Sequence, residues 1–484
     1  MMYRDRRTLL LIVPVLAFLM VATGLYLSSD YLSRVVLPKL RIPLAESSHE
    51  LPTPDIPSHE LLAAAPTPDL ADTPEPISEP APEPTPVLEP KPTPEVQAPI
   101  EPAPSISVKN GTILEASRIQ YVIDAILDPE SPTSKRMPCP PINETRYAPL
   151  KDLVIRGPEG SQIQFFFALN LRKNLNLLSR LLGSIVEVIR FLGPERCALS
   201  IVEGNSPDGT GEVLEALKPF LDQLDIQYFY SSSDINPSKG NRIEKLAKLR
   251  NMALQPLIDS FENGASEDIT VLFLNDVAAC SEDILELALQ RQRLGADMTC
   301  AMDWTTVGEF PTFYDVWISR DIKGNSFFEI PENGSWENAW NLFWDEPYSK
   351  QRLDMHQPFQ VFACWNGAVV FRAAPLKEGI RFRDSSKGHC KHGEPQNFCK
   401  DLWAAGHGKI AVVPTVNLEY SNAGGLTLKK YKGYVTDLVR SENEEQNKID
   451  WSGPPEQVRC IENWGNQFWK PWQVSRRALL DPAT

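Results

Sequence analysis

The sequence predicts an α/β fold with a mainly parallel, doubly wound sheet, held on a membrane span and an unfolded stem. Three observations predict it. Apolar strand-like runs alternate with amphipathic helices through residues 158–420. A stretch of 19 uncharged, overwhelmingly apolar residues occupies positions 9–27. Between the two lies a segment too rich in proline and acid to bury a core.

At about 1.5 Å per residue the apolar stretch reaches roughly 28 Å, enough for a bilayer core of about 30 Å. Pro14 and Gly24 are tolerated in such helices. A cleaved signal peptide is the rival reading, but its apolar core runs about 7–15 residues and ends in small residues. This run is longer and no A-x-A follows it. Residues 8–27 are therefore read as a retained anchor and residues 1–7 as a cytosolic tail. Arg4, Arg6 and Arg7 before the span are balanced by Arg34, Lys39 and Arg41 after it, so charge leaves the orientation undecided. Acceptor triplets at Asn110, Asn143 and Asn333, and eight cysteines that all follow residue 138, favour a lumenal body. The expectation is a single-pass type II membrane protein. Cys390 and Cys399 could close a short loop, although spacing alone leaves the pairing open.

Residues 28–109 form the stem. Eighteen of the chain's 43 prolines lie between 43 and 104, with PTP recurring at 52, 66, 84 and 92. Proline favours extended polyproline II. Twelve acidic residues against the single Lys91 between 44 and 108 repel one another and stretch it further. This segment accounts for most of the net charge of −15. The remainder lacks the basic patch expected of a nucleic-acid-binding protein.

Residues 110–157 open with helical spacing at Ile113, Leu114, Ser117, Tyr121 and Ala125, a docking helix, and continue in a proline-laden loop with Cys139. The α/β domain follows over 158–420. QIQFFFAL reads as a strand, and LLSRLLGSIVEVIRFLG as a helix ended by Gly193 and Pro194. CALSIVEG is a second strand, TGEVLEALKPFLDQL a second helix and IQYFYSS a third strand. RIEKLAKLRNMALQPLI is a long helix and VLFL a fourth strand. Residues 421–484 have no clear period and are read as a C-terminal wrap.

Chemistry-bearing residues gather where these strands end, the edge at which open α/β sheets hold ligands. In SIVEGNSPDGT (200–210) Glu203 stands at a strand tip, able to accept from a base N–H or simply to solubilise a loop. Asp208 or Thr210 is placed to cap the next helix. Arg250 falls on the apolar stripe of Ile243, Leu246, Ala247, Leu254 and Leu257. A guanidinium there needs a partner, either a core carboxylate or the ligand site near Asp276. In VLFLNDVAAC (271–280) the apolar strand runs straight into Asn275 and Asp276. Asp276 could cap the helix after Ser281, or hold a divalent cation against a phosphate.

The succession SIVEGNSPDGT, KLRNMAL, VLFLNDV resembles nucleotide-sugar glycosyltransferases of the GT-A, Rossmann-like fold. More closely, residues 160–420 resemble the fungal capsule-associated α-1,3-mannosyltransferases, glycosyltransferase family 69. The matching pieces are ALNLRKN (168–174), SIVEGNSPDGT, RIEKLAKLRNMALQPL, FLNDV, CAMDW (300–304), FYDVWISRDIKG (313–324), CWNGAVVF (364–371) and FCKDLW (398–403). Two departures stand out. Asn275-Asp276-Val277 lacks the two aspartates of a full DxD, although it matches the family's own form. Gly393-Glu394-Pro395 replaces the family's Ser-Glu-Cys, which puts a neighbouring disulfide in doubt.

The resemblance implies transfer of mannose from GDP-mannose to a mannose-containing glycan, with retention of configuration and Mn²⁺ or Mg²⁺ as cofactor, in the Golgi membrane. It implies Asp276 as metal ligand, and Glu203, Asp208, Arg250 and Asn170 as donor contacts. Glu394, Asp401 and Asp303 become candidate catalytic carboxylates, without fixed roles. Trp365, Asn366 and Asp315 are candidate acceptor contacts. Trp365 could stack on a sugar or pack in the core, and Gly367 would allow close backbone approach. Asp315, Arg320 and Asp321 could equally form an ion-pair network. One of His389, His392 and His407 could complete a metal shell; a structural zinc site lacks its paired cysteines.

The reduced metal motif also fits an inactive relative that assists capsule or cell-wall polysaccharide assembly or export. A nucleotidyltransferase would need a glycine-rich phosphate loop, which ALNLRKNLNLL lacks. A UDP-linked donor would be accepted by Glu203 nearly as well as a GDP-linked one.

Overall fold

The computed structural model describes residues 106–130, 136–152, 163–307, 310–386 and 390–472. All lie in one compact unit, Pro99–Thr484. The anchor expected over 8–27 and nearly all of the stem fall outside the described residues. Among the described residues no helix is long and apolar enough to cross a membrane.

The docking helix forms as α1 (Ala116–Leu127), followed by α2 (Glu144–Lys151). The strand–helix alternation then runs β1 (Phe165–Leu171), α3 (Leu175–Leu192), β2 (Cys197–Glu203), α4 (Thr210–Asp222), β3 (Gln227–Ser232), α5 (Arg242–Ser260), β4 (Thr270–Leu274) and α6 (Ser281–Leu294). Gly193, with φ of 101°, ends α3 where the glycine signal placed it. β1 shows why these strands read as continuous apolar runs: it is covered on both faces. Phe165, Phe167 and Leu169 enter a core shared with α1, α3, α4 and α6, while Phe166 and Ala168 enter a second core shared with α5.

Strands β3-β2-β1-β4 run parallel, as expected. Beyond β4 the sheet is mixed. Its further strands are β5 (Met298–Val307), β6 (Phe310–Phe313), β7 (Arg320–Asp321), β8 (Phe359–Ala363), β9 (Ala368–Arg372) and β10 (Ile410–Leu418). β9 inserts antiparallel between β4 and β5, and β10 lies parallel to β5. Sequence pattern offered no account of this half, because its pairings join segments far apart in the chain.

Helix α7 (Pro347–Asp354) precedes β8, and α8 (Glu394–Ala405) packs into the second core. The wrap expected to lack a period holds a helix, α9 (Asn422–Lys432), and a hairpin of β11 (Gln457–Asn463) with β12 (Asn466–Pro471). Disulfides join Cys139 to Cys280, Cys300 to Cys364 and Cys390 to Cys460. The last corrects the suggested Cys390–Cys399 loop. Cys399 sits on the buried face of α8, where its thiol meets the Cys364 carbonyl at 3.4 Å, and stays free. Asn110, Asn143 and Asn333 are all exposed.

Candidate active site

The site grows from the tip of β4. Once the β4 ladder ends at Leu274, the Asn275 N–H donates to the Gly367 carbonyl at 2.8 Å. The Asn275 side-chain oxygen accepts from the Trp365 indole N–H at 3.0 Å and an Arg250 N–H at 3.4 Å. Asn275 is thus the structural half of the motif and Asp276 the outward half. Asp276 does not cap α6; that role belongs to Asp283, which accepts from the Cys280 N–H at 2.8 Å. Its carboxylate is half-buried and accepts from the Asn174 amide at 3.2 Å. Burial pushes its pKa up, while the Asn174 hydrogen bond and the Arg250 charge pull it back.

Arg250 is a hub. Its Nε meets Glu394 at 3.0 Å, and its guanidinium lies 4.5 Å from the Trp365 ring centre and 5.3 Å from that of Phe273. The two alternatives for Arg250, core ion pair and neighbour of Asp276, are both realised. Glu394 is the first residue of α8, and Pro395 suits that first turn.

Behind Arg250 lies a carboxylate pair. Asp303 is fully buried on β5 and accepts from the Tyr420 hydroxyl at 2.5 Å and the Asp315 N–H at 3.3 Å. Burial first, and then the charge of Asp315, push its pKa well above the carboxylate range. Asp315 accepts from the Asn366 N–H at 3.0 Å. Burial lifts it to about 6, with Asn366 and Arg250 opposing and Glu394 reinforcing. Near neutral pH this pair therefore keeps a proton that an exposed pair would lose. Tyr314, 48% exposed, covers Tyr420 with ring centres 5.0 Å apart.

Several expected contacts are committed elsewhere. Glu203 is buried and is no loop solubiliser; its oxygens accept from the Ser206 and Asn205 N–H groups at 2.7 and 3.0 Å, closing its own turn. Asp208 accepts from the Thr210 hydroxyl and N–H and from the Leu175 N–H, joining α4 to α3. Burial would raise Asp208, but these hydrogen bonds hold it below its ordinary value. Asp401 is corrected as a catalytic candidate: both its oxygens are held by Arg383 at 2.7 Å. Trp365 is corrected as a stacking platform, because it is 1% exposed and packed edge-on against Phe273 and Phe382. Asn366 is likewise enclosed, bonded to Ser319 and the Ala301 carbonyl. Gly367, with φ of 83°, allows close approach to Val277 and Asp303 rather than to a ligand.

Arg320 gives its protons to backbone carbonyls, and Asp321 accepts from the Lys323 and Asn325 N–H groups, so this pair shapes a turn. His407 pairs with Glu378 at 3.0 Å, and His389 lies outside the described residues. His392 approaches Cys390 and Cys460, but those sulfurs are joined to each other. The Asn170 side-chain oxygen, level with Asn275 across β1 and β4, is buried and has no hydrogen-bond partner among the described residues.

Three contributors escaped sequence reasoning. Asn174 lies inside the quoted ALNLRKN, and its place just after a strand was the available signal. Tyr314 begins beside Asp315 in FYDVW. Tyr420 had no signal, since it reaches Asp303 from 117 residues away.

Carboxylates gather over the carboxyl edge of a parallel half-sheet, beside an unsatisfied amide oxygen, and that is the edge at which open α/β sheets hold their ligands. Comparison with known proteins makes the class particular. A family model described as cryptococcal mannosyltransferase 1 matches residues 164–401. The α-1,3-mannosyltransferase CMT1 of Cryptococcus neoformans is 37% identical over 335 residues, covering 65% of this chain and 70% of that protein. The chain belongs to the cryptococcal mannosyltransferase family and is a glycosyltransferase. Among solved structures, Pyrobaculum calidifontis mannosyltransferase PcManGT, in complex with GDP-Man and Mn²⁺, is 9% identical over 57% of this chain and 62% of its own, with a TM-score of 0.32. Staphylococcus aureus TarS 1-349 is 14% identical over 59% and 68%, with a TM-score of 0.31. Both likenesses are too distant to bear on donor or metal.

Proposed function

We propose that this protein transfers mannose from GDP-mannose to a hydroxyl of a mannose-containing glycan, forming an α-1,3 linkage with retention of configuration. The observation that carries this reading is Asp276, a half-buried carboxylate at the β4 tip with a raised pKa, beside Asn174 and the Arg250–Glu394 pair. The α-1,3-mannosyltransferase activity of the relative supports the sugar and the linkage.

The residues fit a divalent cation of the Mn²⁺ or Mg²⁺ type. Such ions take hard oxygen ligands and are often held by one or two carboxylates plus substrate phosphates. Asp276 offers one desolvated carboxylate. Among the described residues, the groups of three clustered ligands are limited to Cys390, His392 and Cys460, so phosphate and water oxygens would complete the shell. A cation there would stabilise negative charge on the departing diphosphate. Asn174 orients the Asp276 carboxylate, and the Asn170 amide oxygen is available to a donor N–H or O–H. Arg250 holds Glu394 and lends positive charge to the edge. The Asp303–Asp315 pair, which keeps one proton near neutral pH, forms the floor, and the exposed Tyr314 ring is offered to the acceptor.

Three disulfides and three exposed acceptor asparagines support a lumenal domain. With the apolar stretch at 9–27 as anchor, the protein belongs in the Golgi membrane as a type II enzyme.

The test incubates the full chain with radiolabelled GDP-mannose, Mn²⁺ and short α-mannosides, beside an Asp276→Asn variant and an EDTA control. Labelled disaccharide or longer product, lost in both controls, is expected. A folded protein that binds no nucleotide sugar and transfers none would overturn the reading.

A further inference from the structure

A second groove, of about 460 Å³, lies apart from the acidic cluster. Its size falls within the roughly 300–1,000 Å³ of ordinary ligand sites. Trp304 lines it and directly follows Asp303 on β5, so by strand alternation the groove lies behind the cluster, on the other face of that strand.

Three aromatic side chains that line it are not packed away. Trp340 is 81% exposed, Tyr431 64% and Phe310 63%. Large rings scattered singly on a surface need no explanation, but three around one concavity form a patch. The same groove is lined by hydrogen-bonding groups. Lys432 lies 3.6 Å above the Trp304 ring centre, and Asp354, Lys350 and His356 are among the other polar residues of the lining. Burial and the Lys432 charge depress His356, so its imidazole is neutral at neutral pH and both donates and accepts.

Flat aromatic faces with donors and acceptors between them are complementary to one chemistry above others. A pyranose presents apolar C–H faces ringed by hydroxyls, so it packs on a ring and hydrogen-bonds at its edge. A lipid chain laid over Asp354 and Lys432 would leave them unsatisfied, at a cost of about 1–3 kcal/mol for each polar group it buries, whereas Lys350 already donates to the Asn341 side-chain oxygen at 2.6 Å. Two lysines against one aspartate leave no strong field to select a highly charged partner.

We propose that this groove is a second carbohydrate-binding site, which holds hexose units of a long glycan remote from its reacting end. That the hexoses are mannose rests on the mannosyltransferase reading; the existence of the site does not.

The test titrates the full chain with mannohexaose, and separately with cellohexaose and laminarihexaose, by calorimetry, in the wild type and in Trp340→Ala and Tyr431→Ala. Both side chains are largely exposed, so the variants fold. Mannohexaose binding should weaken about tenfold or more in each variant. In transfer assays, KM for mannohexaose should rise by a similar factor, while KM for mannobiose and kcat stay at wild-type values. Equal effects on the long and short acceptors, or none on either, would overturn the proposal. If no acceptor is turned over, the titration alone decides. Binding of any hexaose that Trp340→Ala removes upholds the site, and binding of none removes it.

Discussion

Replacing Arg250 by alanine probes the part of the site that holds the rest together. The change leaves Glu394, whose side chain is 4% exposed, without its cation, and breaking one partner of a buried pair costs about 3–5 kcal/mol. It also removes a guanidinium stacked 4.5 Å from the Trp365 ring centre, worth ~1–2 kcal/mol. These losses share one side chain and are not additive, so about 4–5 kcal/mol is expected. A folded domain with roughly 5–15 kcal/mol to lose should survive at low temperature but unfold at markedly lower denaturant. The assay is urea unfolding followed by tryptophan fluorescence, with midpoints compared at constant slope. Arg250→Lys, which keeps the charge but loses the fork, should cost about 1–3 kcal/mol. The double variant Arg250→Ala/Glu394→Gln should recover about 1–3 kcal/mol of the single loss, because the orphaned charge is gone. A loss under about 1 kcal/mol for Arg250→Ala, or strict additivity in the double variant, would refute the buried-pair account. Activity offers an independent reading. The Arg250 charge holds Asp276 and Asp315 down, so its removal should move the acid limb of the pH–rate profile to higher pH.

Asp315 sets a pH dependence of stability. Its folded pKa of about 6 is raised above the ordinary 3.8, so the folded state holds its proton more tightly than the unfolded chain. The associated stability is full below about pH 4 and is lost as pH rises through 6, and Asp315→Asn should flatten that slope. Thiol counting under denaturing conditions without reductant should label two cysteines, Cys197 and Cys399. Native protein should label neither, because burial pushes the Cys399 thiol up to about 12 and keeps Cys197 protonated too; labelled Cys390 would contradict its bond to Cys460. Expression in a secretory host followed by endoglycosidase should lower the mass in steps lost singly in Asn110→Gln, Asn143→Gln and Asn333→Gln.

What the sequence determined by itself were features written in a short window. The parallel strands β1, β2 and β4 could be read because each is buried along nearly all its length, and the helices between the strands because each carries a buried stripe, so hydrophobic period alone specifies them. Asp276 could be read because a doubly covered strand that suddenly offers a carboxylate has few reasons to do so. The motifs of ALNLRKN, SIVEGNSPDGT and FLNDV carried the family for the same reason, as local solutions at strand ends.

The tertiary structure decided what each side chain at those ends is bound to. Glu203 and Trp365 stand where the sequence placed them, yet one closes its own turn and the other packs beneath Arg250. Asp276 meets Asn174 across 102 residues, Asp303 meets Tyr420 across 117, and Arg250 meets Glu394 across 144. The physical reason is one of range. Backbone period and turn chemistry act between neighbours, whereas burial, hydrogen bonding and charge act between whatever the fold brings within a few ångströms. A carboxylate's neighbours, and therefore its protonation and its task, are set only when the chain has closed around it.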